Sequence, residues 1–261
     1  MSEPIDKDTL RQQLLAHARQ LRSAGVEWLP LGPPLEVAPA AVTPKIEAAT
    51  SGLELAEEVS AAESMSLEER RIALETVAAK VKACMRCAEL CSTRTQTVFS
   101  DGPLGAELCF VGEAPGADED AQGVPFVGAA GQLLNKIIAA MGFRRDEVYI
   151  CNILKCRPPG NRTPLANEAA NCREYLERQL ELAAPKYIVA LGGCAAGNLL
   201  QSTVSIGKLR GRFHDYKGIP VVVTYHPAYL LPHRNPNAKR EVWEDMKMLL
   251  TKMGRPIPQK T

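Results

Sequence analysis

Residues 109–134, CFVGEAPGADEDAQGVPFVGAAGQLL, set the pattern by which the rest of the chain is read. An apolar start runs into two turns rich in glycine and proline, then Phe126 between Pro125 and Val127, then a helix-forming tail. A buried strand leading through a loop into a helix is the repeating unit of an α/β fold.

The same alternation continues beyond it. LCFVG (108–112) is followed by a helix from about Gly131 to Met141, VYICNIL (148–154), a helix from about Pro164 to Leu182 and YIVALGG (187–193). A helix near Cys194–Leu200, the run IPVVVTYH (219–226) and a last helix over 237–254 complete the series. Strand and helix in turn with short connections predict a three-layer α/β/α sandwich on a mostly parallel sheet. Ligands in such sheets sit at the carboxyl ends of strands, where GEAPG (112–116), Asn152 and His226 all fall.

The N-terminal quarter differs in kind. Residues 28–65 are rich in Pro, Ala and Glu without a sustained period, which predicts a disordered linker. Before it, Leu10, Leu14 and Leu21 at helical spacing predict a short helix. After it, Ser66 with Glu69 three residues on is a capping-box pattern that opens a helix. The expected division is therefore an extension over 1–65 and a folded domain over 66–261, with a monomer expected and the extension free to bind an unknown protein partner.

No membrane span and no apolar export signal is read in the chain, so a cytoplasmic protein with reduced cysteines is expected. Net charge is +1, but residues 1–80 carry 8 Lys/Arg against 13 Asp/Glu, and 201–240 carry 7 against Asp215 alone. Basic charge is thus concentrated where a polyanion can lie, on Lys208, Arg210, Arg212, Arg234, Lys239 and Arg240. The alternative for each is a solvated face.

Of eight cysteines, Cys109, Cys151 and Cys194 lie inside apolar runs and read as small core residues. Cys84 and Cys87 form C-x2-C, and Cys156 and Cys172 form C-x15-C after a gap of 68 residues. The first pair sits among polar residues at a helix end and Cys156 precedes the turn RPPGN, so packing does not explain the thiols. Four thiolates suit zinc and an iron-sulfur cluster equally well, and Cys91 offers a different ligand set.

GEAPGADED, GVPFVGAAGQLL, NILKCRPPGNRTP and TYHPAYLL, in that order and flanked by the cysteine quartet, resemble the iron-sulfur uracil-DNA glycosylases of family 4. The resemblance covers roughly Ala83 to Lys252. It implies excision of uracil from DNA and a structural [4Fe-4S] cluster on Cys84, Cys87, Cys156 and Cys172. Such an enzyme flips the nucleotide out of the duplex into a pocket that needs an aromatic floor and polar groups for the pyrimidine edge.

By resemblance Phe126 is that floor and Gly112, Glu113 and Ala114 shape the turn facing the base. Asn152 reads O4 and N3–H, and His226 donates to O2 as charge develops on the leaving base. Ordinary core packing is the other reading of Phe126, and a strand-end hydrogen bond that of Asn152. The place where related enzymes carry a water-positioning Asp is Ala114 here, so the water falls to main chain around Ala114 or to Glu113. Glu119 and Asp120 are further available acids, or solvated loop charges. The loop LLPHRNPN (230–237) has an apolar start suited to wedge into the gap left by the base.

Two rival functions fit the same residues. One is a uracil-DNA-binding protein that traps its substrate covalently through a histidine in a basic insertion; CRPPGNRTP is short and has no His. The other is a zinc-stabilised, non-enzymatic repair accessory module.

Overall fold

The computed structural model describes residues 65–231 and 237–258. The expected extension up to residue 64, Arg234 and most of the loop LLPHRNPN lie outside the described residues.

The first described helix, α1 (Leu67–Lys82), opens on the capping box read from the sequence. The Ser66 hydroxyl accepts from the Glu69 N–H at 3.2 Å, and the Ser66 N–H donates to the Glu69 carboxylate at 2.7 Å. Such reciprocal bonds satisfy donors that a helix start would leave open, worth about 1 kcal/mol. A short helix α2 (Ala88–Thr93) follows the C-x2-C pair.

The sheet has six strands: β1 (Ser100–Asp101), β2 (Leu108–Gly112), β3 (Tyr149–Asn152), β4 (Tyr187–Leu191), β5 (Phe213–Tyr216) and β6 (Ile219–Thr224). Their order is β1-β3-β2-β4-β6-β5. The inner four are parallel, and β1 and β5 pair antiparallel at the edges. Between the strands run α3 (Ala117–Gln122), α4 (Ala129–Ala140), α5 (Ala166–Ala183), α6 (Gly193–Leu200) and α7 (Ile206–Leu209), and the last helix, α8 (Ala238–Lys252), follows β6.

Strand residues alternate between two cores, as a pleat requires. Cys109, Val111, Cys151, Ile188, Ala190, Val221 and Val223 pack with α5 and α6 on one face. Phe110, Ile150, Val189, Leu191 and Val222 pack with α4 and α8 on the other. Both faces being covered, the inner strands are apolar up to their last residues, Asn152 in β3 and Thr224 in β6, which is why they read as solid hydrophobic runs. Each fully buried Leu, Ile or Val contributes about 1.5–3 kcal/mol, so the expected three-layer sandwich follows from the sheet's composition. Helix α1 packs outside α5, with Val77 and Val81 against Tyr175 and Leu182.

Candidate active site

Three strand ends meet at one side of the sheet. Gly112 closes β2, Asn152 closes β3, and His226 lies two residues past β6. Asn152 and His226 border a cavity of 470 Å³ that is also lined by Glu113 and Ala114, which follow Gly112, and by Phe126 and Arg162. A larger hollow of 660 Å³ lies elsewhere, against Glu177, Leu180, Pro185 and Tyr216. It contains none of the residues singled out for base chemistry, and chemistry rather than size identifies the site.

Phe126 is buried and holds a backbone φ of 54°, the left-handed region that side chains other than glycine avoid. That conformation costs on the order of 1–3 kcal/mol and needs outside support. The Arg145 guanidinium supplies it, donating to the carbonyls of Pro125 at 2.6 Å and Phe126 at 3.1 Å while pairing with Asp101 and Asn135. From the other side Glu119 accepts the N–H groups of Val127 and Gly128, each at 3.0 Å. The ring so placed stands 5.6 Å from the His226 ring, tilted by 34°.

Glycine is required at two close approaches. A Cβ on Gly112 would collide with Asn152 Oδ1 and the tip of the Phe126 ring, and one on Gly131 would collide with the Phe126 carbonyl. Gly112 thereby lets the amide and the aromatic ring come together over the end of β2.

Asn152 is 2% exposed, and its Oδ1 is buried with no hydrogen-bond partner among the described residues. An unpartnered buried acceptor costs about 1–3 kcal/mol, so this one points to a donor brought by a ligand. The strand-end bond considered for its side chain is not the one it makes.

His226 is half-buried, and its Nδ1 accepts the Ala228 N–H at 3.2 Å. Accepting at Nδ1 leaves the ring proton on Nε2. Burial pushes the pKa down to about 4, with Glu119 opposing, so the ring is neutral at physiological pH. The result is a neutral N–H donor held beside the Phe126 ring.

Glu113 lines the same cavity half-buried, and burial raises its pKa while the Cys194 thiol opposes. Cys194 itself is pushed up to about 12 by burial. Sequence reading placed this thiol in the core and did not connect it with the pocket; only the turn after β4 brings it there. Arg162 was also missed. It reaches from the cavity to Glu168 at 2.7 Å and to Glu89 at 2.8 Å, and so ties the pocket wall to α2.

Glu119 and Asp120 are not the solvated loop charges weighed above. They are 9% and 2% exposed, and both accept main-chain N–H groups: Glu119 those already named and Gly116, Asp120 that of Thr95. Their carboxylates hold loops together.

Among the basic residues, Arg210 is a correction. Its guanidinium pairs with Asp245 at 2.8 Å and Glu241 at 3.0 Å and lies 4.2 Å from the centre of the Tyr225 ring. With its side chain 12% exposed it is occupied within the protein rather than offered to phosphates. Lys208, Arg212, Lys239 and Arg240 are exposed. Because β5 runs antiparallel to β6, Arg212 lies beside the carboxyl end of β6, the end from which His226 follows.

The cysteines are all free thiols. Cys109 and Cys151 are fully buried core residues, as read. Cys156 and Cys172 pack with Leu90 and Leu154, with Cys87 against the same cluster. Arg94 donates to Cys156 Sγ and to the Cys84 carbonyl, both at 2.8 Å, and Asn171 donates to Cys87 Sγ at 3.3 Å. Burial raises the Cys172 pKa, and the Cys87 and Cys84 thiols nearby add to it. Cys91 Sγ lies 3.4 Å from the Cys84 carbonyl. Among the described residues no three His, Cys, Asp or Glu side chains converge closely enough to hold a single metal ion.

Comparison with known proteins agrees with this geometry. The uracil DNA glycosylase superfamily matches residues 99–247, more than half of the chain. The type-4 uracil-DNA glycosylase of Thermotoga maritima is 45% identical over 175 residues, 66% of this chain and 91% of that protein. That of Archaeoglobus fulgidus is 41% identical over 193 residues, 71% of this chain and 96% of that protein. A type-5 uracil-DNA glycosylase of Pyrobaculum aerophilum is more distant, 32% identical over 180 residues, 56% of this chain and 79% of that protein. With strand ends, pocket and relatives in agreement, the chain belongs to the type-4 uracil-DNA glycosylases.

Proposed function

We propose that this DNA-repair glycosylase takes a flipped uracil nucleotide into the 470 Å³ cavity, hydrolyses its N-glycosidic bond and leaves free uracil and an abasic site. The observation that carries the reading is the partnerless Asn152 Oδ1 beside Phe126 and His226. Uracil N3–H donates to that oxygen, and the amide Nδ2 donates to O4. Cytosine presents an acceptor at N3 and an amino donor at C4, so it leaves Oδ1 facing a lone pair. Buried polar mismatches of that kind are what make a hydrogen-bonding site selective.

Stacking on Phe126 holds the base plane. As the C1′–N1 bond breaks, its electron pair leaves on the base and charge gathers on O2, where the His226 Nε2–H receives it. Water supplies the hydroxyl at C1′, and its proton ends on the departing base. The turn from Gly112 to Ala114 faces the base, and Glu113 or the main chain at Ala114 positions the water.

The residues fit a [4Fe-4S] cluster. Cys84, Cys87, Cys156 and Cys172 supply four thiols from three separate segments, and Arg94 and Asn171 donate hydrogen bonds to two of the sulfurs. Bound there, the cluster supplies a cross-link and negative charge; the steps above need only protein groups.

Lys208, Arg212, Lys239 and Arg240 contact the phosphates flanking the flipped nucleotide, residues 1–65 are dispensable for excision, and the protein works in the cytoplasm as a monomer. No helix among the described residues is long and apolar enough to cross a membrane.

The test is a gel assay on an oligonucleotide with one uracil, read after alkaline cleavage. Strand scission at uracil and none at cytosine supports the proposal. An intact strand, or a protein–DNA adduct surviving denaturation, refutes it in favour of a non-enzymatic or covalently trapping protein.

A further inference from the structure

Lys155 is 1% exposed, in the core of the domain, and none of the steps above uses it. Its Nζ donates to the Asn152 carbonyl at 2.8 Å and to Gln179 Oε1, and lies 5.7 Å from the centre of the Phe99 ring. Gln179, 0% exposed on α5, donates in turn to the Phe99 carbonyl at 3.1 Å and the Tyr149 hydroxyl at 3.0 Å. The main chain around it is equally fixed. Ile153 and Leu154 donate to the Gly112 and Glu113 carbonyls at 2.9 and 3.0 Å, and the Lys155 carbonyl accepts from Val98 at 2.8 Å.

A buried ammonium is expensive, and an apolar side chain of similar length would fill the space more cheaply. Both hydrogen-bond acceptors named are neutral. Burial lowers the Lys155 pKa, and the nearby thiols of Cys151, Cys172, Cys109 and Cys156, two of which belong to the proposed cluster ligands, oppose that shift. Lys155 therefore stands between the cysteine site and the residue proposed to read the base.

We infer that Lys155 is a positioning residue for base recognition: by tying the Asn152 main chain to α5 beside the cysteine site, it sets where the Asn152 amide stands. This inference rests on the proposed role of Asn152. The geometry is one-sided in a useful way, since Lys155 holds the carbonyl of Asn152 while the side-chain oxygen stays unpartnered for the ligand. A shift of the β3 end would move that oxygen off the pyrimidine edge without touching Phe126 or His226.

The experiment is a double-mutant cycle in the full chain, comparing wild type, Lys155→Met, Asn152→Ala and the double variant. Single-turnover uracil release and binding of free uracil by calorimetry are measured, with visible absorbance and iron content followed for each protein. Lys155→Met is expected to slow release by roughly 10- to 100-fold and weaken uracil binding in the wild-type background. In the Asn152→Ala background the same change should cost less than about two-fold, because residues acting through one another are not additive. Equal losses in both backgrounds, or a Lys155→Met protein with wild-type rate and binding, would overturn the inference.

Should Lys155→Met fail to fold, Gln179→Leu keeps the lysine but frees it from α5. A smaller loss that again disappears in the Asn152→Ala background supports the inference, and a folded Gln179→Leu protein with unchanged rate and binding overturns it. A wild type that binds uracil without releasing it from DNA would refute the proposed function, and the cycle is then decided by the binding data alone.

Discussion

Lowering the pH from about 7.5 to about 5 should leave the single-turnover rate of uracil release nearly constant, although an ordinary histidine titrates across that range. The reason is the His226 environment: burial holds its pKa at about 4, against a usual 6.5, and Nδ1 accepts the Ala228 N–H. Protonation would put a second proton where Ala228 already points one, so the acid form loses that bond and the rate falls only toward pH 4.

The same numbers govern stability. A histidine whose folded pKa is depressed binds more protons when unfolded, so its contribution is fully present above 6.5 and is lost as the pH falls toward 4. The full window of about 2.5 units corresponds to roughly 3 kcal/mol, and about 2 kcal/mol of it is lost by pH 5. These are upper figures, because the ring borders an open cavity where water screens charge.

Carboxylates titrate over the same range, so the measurement is a difference between wild type and His226→Gln in urea unfolding at each pH. The stability difference should shrink on acidification by up to about 2 kcal/mol, while His226→Ala at neutral pH should release uracil roughly two to three powers of ten more slowly. An inflection in the wild-type rate near pH 6.5, together with a stability difference that does not change with pH, would refute the neutral-donor account.

Other outcomes follow from the packing. Gly112→Ala should reduce uracil release by at least about 100-fold and also lower the melting temperature by a few degrees, since its Cβ meets the buried Asn152 amide and Phe126 ring and overpacking costs about 1–3 kcal/mol; kinetics and a melting curve check both. Arg210→Met should lower the melting temperature without altering how DNA affinity depends on salt, whereas Lys239→Ala or Arg212→Ala should reduce that slope by about one each. Cys156→Ala or Cys172→Ala should give colourless, poorly soluble protein, and Cys109→Ala should remain coloured; iron content and absorbance decide.

The inner strands were legible because burial on both faces leaves no polar residue to interrupt them, and LCFVG (108–112) matches β2 at both ends. The edge strands were not. Ser100–Asp101 is two polar residues long, and Phe213–Tyr216 carries His214 and Asp215, so their strand character comes from antiparallel partners rather than from their own side chains. Helix bodies were found but their starts drifted: α4 begins at Ala129 rather than Gly131, and α5 at Ala166 rather than Pro164.

Phe126, expected from the resemblance, lines the cavity from a loop between two helices, and Gly112, Asn152 and His226 fell at or just past strand ends as expected. Arg210 did not, because charge counts along a segment cannot show that Asp245, 35 residues on, has already claimed it. Glu119 and Asp120 failed in the same way, their partners being main-chain N–H groups that no residue type announces.

The pocket's three recognition walls come from three strands, and the wall carrying His226 follows β6, which pairs with β4 on one side and β5 on the other. In a chain emerging from the ribosome, Gly112 and Asn152 appear long before that strand can take its place. A nascent or truncated chain that ends before residue 226 therefore contains Asn152 but lacks His226, the proposed donor to O2. On the proposed roles, excision competence arrives late in synthesis, once residue 226 and the strand before it are in place.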